Sequence, residues 1–406
     1  MTNPTTKTSQ KHPSPSVFIR GHSRRAFVSE NQSRDRQGAT RFSGALPRGR
    51  SLTVAAQIVK RTSVAVCVCL CLSVAHFLKA EPIPPNVQSA VDRGLNWLAK
   101  NQDPSGGWNT SNLPNQSAPA ATTSLAVMAF MARGHVPGQG PYGDNLNRAV
   151  DYVLALQQPT GLLASSDKRY AMYEHGISTV MLCEAYGMLD DPRQKQAHIA
   201  IAKATRLILN AQQIRKSPTD QGGWRYTPTS NDSDVSVTGW QLMALRGAAN
   251  IDAAVPKKAI DDGLAYILAH TAPSGAFTYG GGTNEHTDAA LTGTGILALE
   301  LLGQHNSKQA IAAGEYLKDP RNLNLADTYY FYTVYYCSQA AWQLGDRYWS
   351  AINPIIRDSL IKRQSPTGEW LISNSNPEQI AGPALATSMA ILALTVPYRY
   401  LPIYQR

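Results

Sequence analysis

Residues 93–108 read RGLNWLAKNQDPSGGW. Apolar residues recur at i, i+3 and i+4, the spacing of one helix face, and the run closes in a polar Pro/Gly turn that ends on tryptophan. The plan returns five more times. It stands at 148–163 (RAVDYVLALQQPTGLL), at 203–213 (KATRLILNAQQ) with a delayed QGGW at 221–224, and at 262–277 (DGLAYILAHTAPSGAF). A worn copy follows at 313–319 (AGEYLKD), and a clear one at 357–370 (RDSLIKRQSPTGEW). A unit repeating every fifty-odd residues signals a stacked or closed array of like hairpins.

Between these segments lie six stretches, 122–135, 175–189, 235–248, 288–304, 329–345 and 384–397, apolar nearly all round and rich in Ala, Gly, Ser and Thr. A helix with that profile is buried on every side, whereas the first set is amphipathic and half exposed. The reading is six pairs, each of one outer and one inner helix. An open superhelix would leave one side of the inner helices wet. The expected fold class is therefore all-α, an (α/α)6 toroid of six helical hairpins. Its inner helices run parallel, and their N-termini share one mouth.

The 406 residues, 43% hydrophobic, are ample for a large core. The net charge of +10 is unevenly placed. Residues 1–80 hold 13 Lys and Arg against 2 Asp and Glu; the remainder holds 25 against 26. The near-neutral body has no basic footprint, so no nucleic-acid partner is expected. Residues 1–60, rich in Ser, Thr, Gln and Arg, read as disordered or as a start codon placed too early. Residues 61–80 follow the pattern of a signal peptide, with a basic Lys60-Arg61, an apolar run and small residues at a cut site. The run is short for a span, so the expectation is export, periplasmic or secreted, without a stable membrane span once the signal is cleaved. An uncleaved signal would leave the protein membrane-anchored. Residues 81–406 then form a single toroid domain. Cys183 and Cys337 fall in apolar helical patterns and read as two buried thiols. The closing segment VPYRYLPIYQR (396–406) cannot continue a helix and is expected to pack across the outside of the barrel.

Arg93-Gly94, Trp97, Gln102 and Gly106-Gly107-Trp108, returning as Gln364 and Gly368-Glu369-Trp370, resemble the prenyltransferase/squalene-oxidase repeat of squalene and hopene cyclases and protein prenyltransferase β subunits. The likeness spans about residues 88–397. It implies the toroid but no one chemistry, because function lies in sites carried by a fold. In such a ring the inner-helix starts bring polar residues together: Glu174 and His175, Asp232 and Asp234, His286 and Asp288, and Asp327. Trp240 and Tyr330 stand close by, with Tyr170, Tyr173, Tyr279, Tyr329 and Tyr332. Desolvation can hold a carboxyl protonated, and ring faces can stabilise a cation, so this set suits carbocation chemistry.

Class II terpene cyclases carry Asp-x-Asp-Asp, and the resemblance makes Asp234 the general acid and Asp232 its partner. Val235 stands where the last acid belongs. Protein prenyltransferases hold zinc through Asp-x-Cys and a distant His; Ser236 and Tyr332 stand in those places and are poor zinc ligands. Neither a metal nor a cofactor is expected. The thioester element Cys-Gly-Glu-Gln, found on related toroids, is absent. Asp232 and Asp234 equally suit plain helix capping. Three functions stay open. The first is a binding protein, divergent and without catalysis, with an apolar isoprenoid or glycan ligand at the mouth. The second is a single-domain terpene cyclase, and the third a carbohydrate-active (α/α)6 enzyme with paired carboxylates.

Overall fold

The structure, a computed structural model, describes residues 83–108, 118–166, 170–280, 287–326, 329–372 and 382–405. Among them lie twelve α-helices in six consecutive hairpins. The pairs are α1 (Pro85–Lys100) with α2 (Pro119–Ala132), α3 (Gly143–Ala155) with α4 (Ala171–Ala185), and α5 (Asp191–Gln212) with α6 (Val235–Asn250). They continue as α7 (Lys257–Ala269) with α8 (Ala289–Leu301), α9 (Lys308–Lys318) with α10 (Tyr330–Leu344), and α11 (Asp346–Arg363) with α12 (Gly382–Leu394).

Each even-numbered helix packs on the next, and α12 returns to α2, so the inner ring is closed. Burial follows the sequence pattern. Every residue of α2 and of α8 is buried, whereas α1 buries only the stripe Val87, Ala90, Val91, Gly94, Leu95 and Leu98. The architecture is the expected (α/α)6 toroid. Two inner helices begin earlier than the polar-to-apolar switch suggests. α2 starts at Pro119, whose fixed φ and missing N–H suit a first turn, and α4 starts at Ala171, after Tyr170 in a left-handed conformation. Glu174 and His175 therefore lie inside the first turns of α4 and not at its entrance.

The repeat motif ties one hairpin to the next. Gln102 Nε2 donates to Gly106 O (2.7 Å) and across to Asn145 O of α3 (2.8 Å). Gln157 and Gln212 repeat this toward Ala200 of α5 and Ala259 of α7. Gln364 Nε2 donates to Ala90 O of α1 at 2.8 Å, so the same tie that joins neighbours also closes the ring. The indole N–H groups of Trp108, Trp224 and Trp370 each donate to a carbonyl near the end of their own outer helix: Leu98, Ile208 and Leu360. The turn needs glycine. Gly368 has φ 110°, and a Cβ there would stand 2.6 Å from Arg93 O.

The closing segment departs from expectation. Residues 401–405 do not lie on the outside; they seal the ring at the C-terminal ends of the inner helices, with Leu401, Ile403 and Tyr404 buried. Three apolar side chains in five residues gain more from burial in that opening than from exposure on the outer face. Cys183 and Cys337 are free and buried. No helix among the described residues is long and apolar enough to cross a membrane. The extension 1–60 and the signal-like segment 61–80 lie outside the described residues.

Candidate functional site

Residues 213–234 link α5 to α6. Asp234 N–H donates to Trp224 O (3.0 Å), and Trp224 N–H donates to Thr238 Oγ1 (3.0 Å), which pins the loop onto the helix start. Asp234 has extended backbone angles and caps α6. Its Oδ1 accepts from Val237 N–H at 2.7 Å and from the Ser236 hydroxyl at 2.7 Å. Such a cap contributes about 1 kcal/mol.

The cap is also the floor of a polar, aromatic cluster. Asp234 is fully buried. Its Oδ2 accepts no hydrogen bond among the described residues, yet lies 3.4 Å from Arg225 Nε, a charge contact without hydrogen-bond alignment. Arg225 Nη1 reaches the half-exposed Asp232 at 3.2 Å. The guanidinium lies over Tyr226 and Tyr279, 4.6 and 5.4 Å from the ring centroids, and these two hydroxyls meet in a hydrogen bond. Tyr173 joins Ser236 through its hydroxyl (2.5 Å), and its ring stacks near Tyr226 at 6.0 Å. Tyr170 meets Tyr226 edge-on at 5.1 Å.

Burial pushes the Asp234 carboxyl up to about 6, against the lowering effect of the Val237 N–H, the Ser236 hydroxyl and Arg225. Burial, reinforced by the charge of Asp234, raises the Tyr173 hydroxyl well above its ordinary value and raises Tyr279 as well. Asp234 is thus surrounded on both oxygens by donors or a cation, which is the setting of an acceptor.

The structure brings Asp232 and Asp234 together with Tyr170, Tyr173 and Tyr279, and gives Glu174, His175, Asp288, Trp240 and Tyr330 other partners. Glu174 caps the neighbouring inner helix: Oε2 accepts from Ala120 N–H (2.9 Å) and Oε1 from the Ser165 hydroxyl (2.8 Å). His175 is a repeat tie. Its Nδ1 accepts from Leu163 N–H at 2.9 Å, the bond that Thr123, Thr238, Thr292 and Thr387 make in four of the other hairpins, and Nε2 faces Ala204 O at 3.2 Å. Burial lowers its imidazole to about 4, so it is neutral there. Asp288 caps α8 through Leu291 N–H (2.6 Å). Tyr330 turns toward the outer ring, where it bonds Ser359 (2.9 Å) under Arg363. Trp240 lies deeper and stacks on Tyr335 at 5.8 Å. His286 and Asp327 lie outside the described residues. Arg225 and Tyr226 were not anticipated. Their signal is position: they directly follow the Gly-Gly-Trp turn, which the Trp224–Asp234 bridge folds back onto the acids.

No protein-family profile matches the chain. No characterised protein matches it in sequence. Solved structures do match in fold. An alpha-1,6-mannanase, GH76A of Salegentibacter sp. HEL1_6, has a TM-score of 0.56 and 13% identity over 76% of this chain and 98% of that one. An inactive variant of it, in complex with alpha-1,6-mannotriose, has a TM-score of 0.57 and 12% identity over 77% and 99%. The type II terpene cyclase MstE from Scytonema, as a variant with its product merosterolic acid A, has a TM-score of 0.50 and 16% identity over 78% and 98%. At these identities the likeness is one of architecture: the chain has the (α/α)6 toroid fold that this mannanase and this cyclase have.

Proposed function

We propose that the protein is an exported toroid that binds a ligand at the inner-helix mouth without turning it over, and that the ligand is neutral and rich in hydroxyls, of the glycan class. The observation that carries this is the position of Arg225 against both Asp232 and Asp234. A general acid needs a proton and an open direction in which to give it. Asp234 accepts on Oδ1, faces a guanidinium on Oδ2, and with its value near 6 is mostly ionised at neutral pH. Two carboxylates against one guanidinium leave the cluster net negative, which disfavours anionic ligands. Tyrosine faces suit the C–H surface of a sugar ring, and the half-exposed Asp232 with the tyrosine hydroxyls suits its O–H groups.

Titration calorimetry with neutral oligosaccharides, beginning with alpha-1,6-linked mannooligosaccharides, tests the reading. Saturable binding that weakens about tenfold or more in Tyr226→Ala and Asp232→Ala, with no product formed, is expected. Absence of binding across a neutral glycan panel would remove the ligand class, and release of reducing ends would remove the claim of no turnover. Sequencing the N-terminus of protein recovered from the producing cell tests export; a start near residue 81 is expected.

The burial of Asp234 favours one second reading, a terpene cyclase in which Asp234 is the acid. Incubation with polyprenyl substrates, wild type beside Asp234→Asn, decides it. Cyclised product that disappears in the variant would replace the binding reading.

A further inference from the structure

The inner ring has a second end, where its helices finish. The chain arrives there after Arg399, which takes a left-handed φ of 55°; Arg399 and Tyr400 are exposed. It then turns inward, and Ile403 is wholly buried. Three grips hold it. Ile403 N–H donates to both carboxylate oxygens of Glu184, in the last turn of α4, at 3.1 and 3.0 Å. Gln343 Nε2, near the end of α10, donates to Tyr404 O at 2.8 Å. The Tyr404 hydroxyl meets that of Tyr335, whose ring lies parallel to Trp240.

Glu184 and Gln343 are 4% and 1% exposed. A buried carboxylate and a buried amide are costly unless partnered. Each takes a partner from this segment, the backbone N–H of one residue and the carbonyl of the next, while a pocket receives the side chain between them. Backbone polar groups held by fixed partners, with a pocket for one side chain, is the general arrangement of peptide recognition. The segment's own regular structure is a single turn, Pro402–Tyr404.

We propose that this end of the ring is a peptide-binding site, filled here by the chain's own residues 401–405, and that it accepts a Leu-Pro-Ile-Tyr type peptide from another chain when that segment is released. The tethered segment acts at an effective concentration of order millimolar, so a free peptide competes poorly with it in the wild type. Its partner chemistry is an apolar turn with one phenol. An acidic peptide does not fit, because Glu184 already sets a carboxyl group in the pocket.

The test uses the full chain carrying Ile403→Gly and Tyr404→Ala, which strips the segment of its buried side chains and leaves the site whole. Labelled synthetic Tyr-Leu-Pro-Ile-Tyr-Gln is titrated by fluorescence anisotropy. Binding at least about tenfold tighter than to wild type is expected, and adding Gln343→Ala or Glu184→Gln should weaken it about tenfold again. A variant with native circular dichroism that captures no peptide overturns the proposal. So does capture indifferent to Gln343 and Glu184. Should the variant fail to fold, hydrogen exchange in the wild type decides. The Ile403 and Tyr404 amides should exchange by local opening, about tenfold or more faster than those of Val180 and Leu245. Exchange of all four at one rate would make the segment an inseparable part of the core.

Discussion

Asp234 does two jobs with one carboxylate. Oδ1 caps α6, and Oδ2 balances Arg225. Its value near 6 in the folded chain lies above the ordinary carboxylate range. In the window from about pH 4 to 6 the folded protein therefore keeps a proton that the unfolded chain has lost. The stabilisation is full below that window, falls as pH rises through it, and is gone above it; the change is about 2 to 3 kcal/mol at most. Asp234→Asn retains a capping oxygen and does not titrate. Denaturant unfolding of wild type and variant at pH 4, 5, 6, 7 and 8 should give a stability difference that shifts toward the variant from pH 4 to 7 and is level from 7 to 8. A difference that does not vary with pH would mean that the carboxyl is not desolvated. The comparison cancels Glu184, which burial raises to about 7, and His175, whose lowered value acts with the opposite sign.

At the scale of the element, the Gln-Gly-Trp turn is the unit that makes hairpins into a ring. Gln364→Ala removes donors from the carbonyls of Gly368 and Ala90, and buried groups left unpaired cost about 1 to 3 kcal/mol each. Gly368→Ala adds a left-handed strain and a clash with Arg93 O, so it should destabilise by at least about 2 kcal/mol. Both losses would be read in urea unfolding midpoints, and values under a few tenths of a kcal/mol would show the tie to be ornamental. This turn was legible in the sequence because Gln102, Gly106 and Trp108 are close along the chain and recur. The start of α4 was not, because Tyr170 and the first-turn residues look like any polar loop. That displacement set Glu174 and His175 inside the helix, where they accept from backbone N–H groups of Ala120 and Leu163. Arg225 was hidden for a related reason: only the fold-back of the Trp224–Asp234 bridge brings it to the acids, and no periodicity records a bridge.

The whole chain is electrostatically two things. The first 80 residues carry the positive excess, and the toroid is close to neutral, although the sequence pI is about 9.3. Isoelectric focusing of protein recovered from the producing cell should place it near or below neutrality if the leading segment is removed, and retention on a cation exchanger should vanish with it. A band that stays near the value of the full sequence would mean that the segment is kept. The closed ring has a further meaning. Because α11 is joined to α1 by the same glutamine tie that joins α1 to α3, the array has no terminal unit to shield. In an open solenoid the end repeats are special, and repeats can be added or lost one at a time. Here no repeat is first. The order in which the gene enters the circle is arbitrary, and a circular permutation keeps every joint, but the number six is fixed by this curvature: five hairpins or seven would leave a seam with no partner.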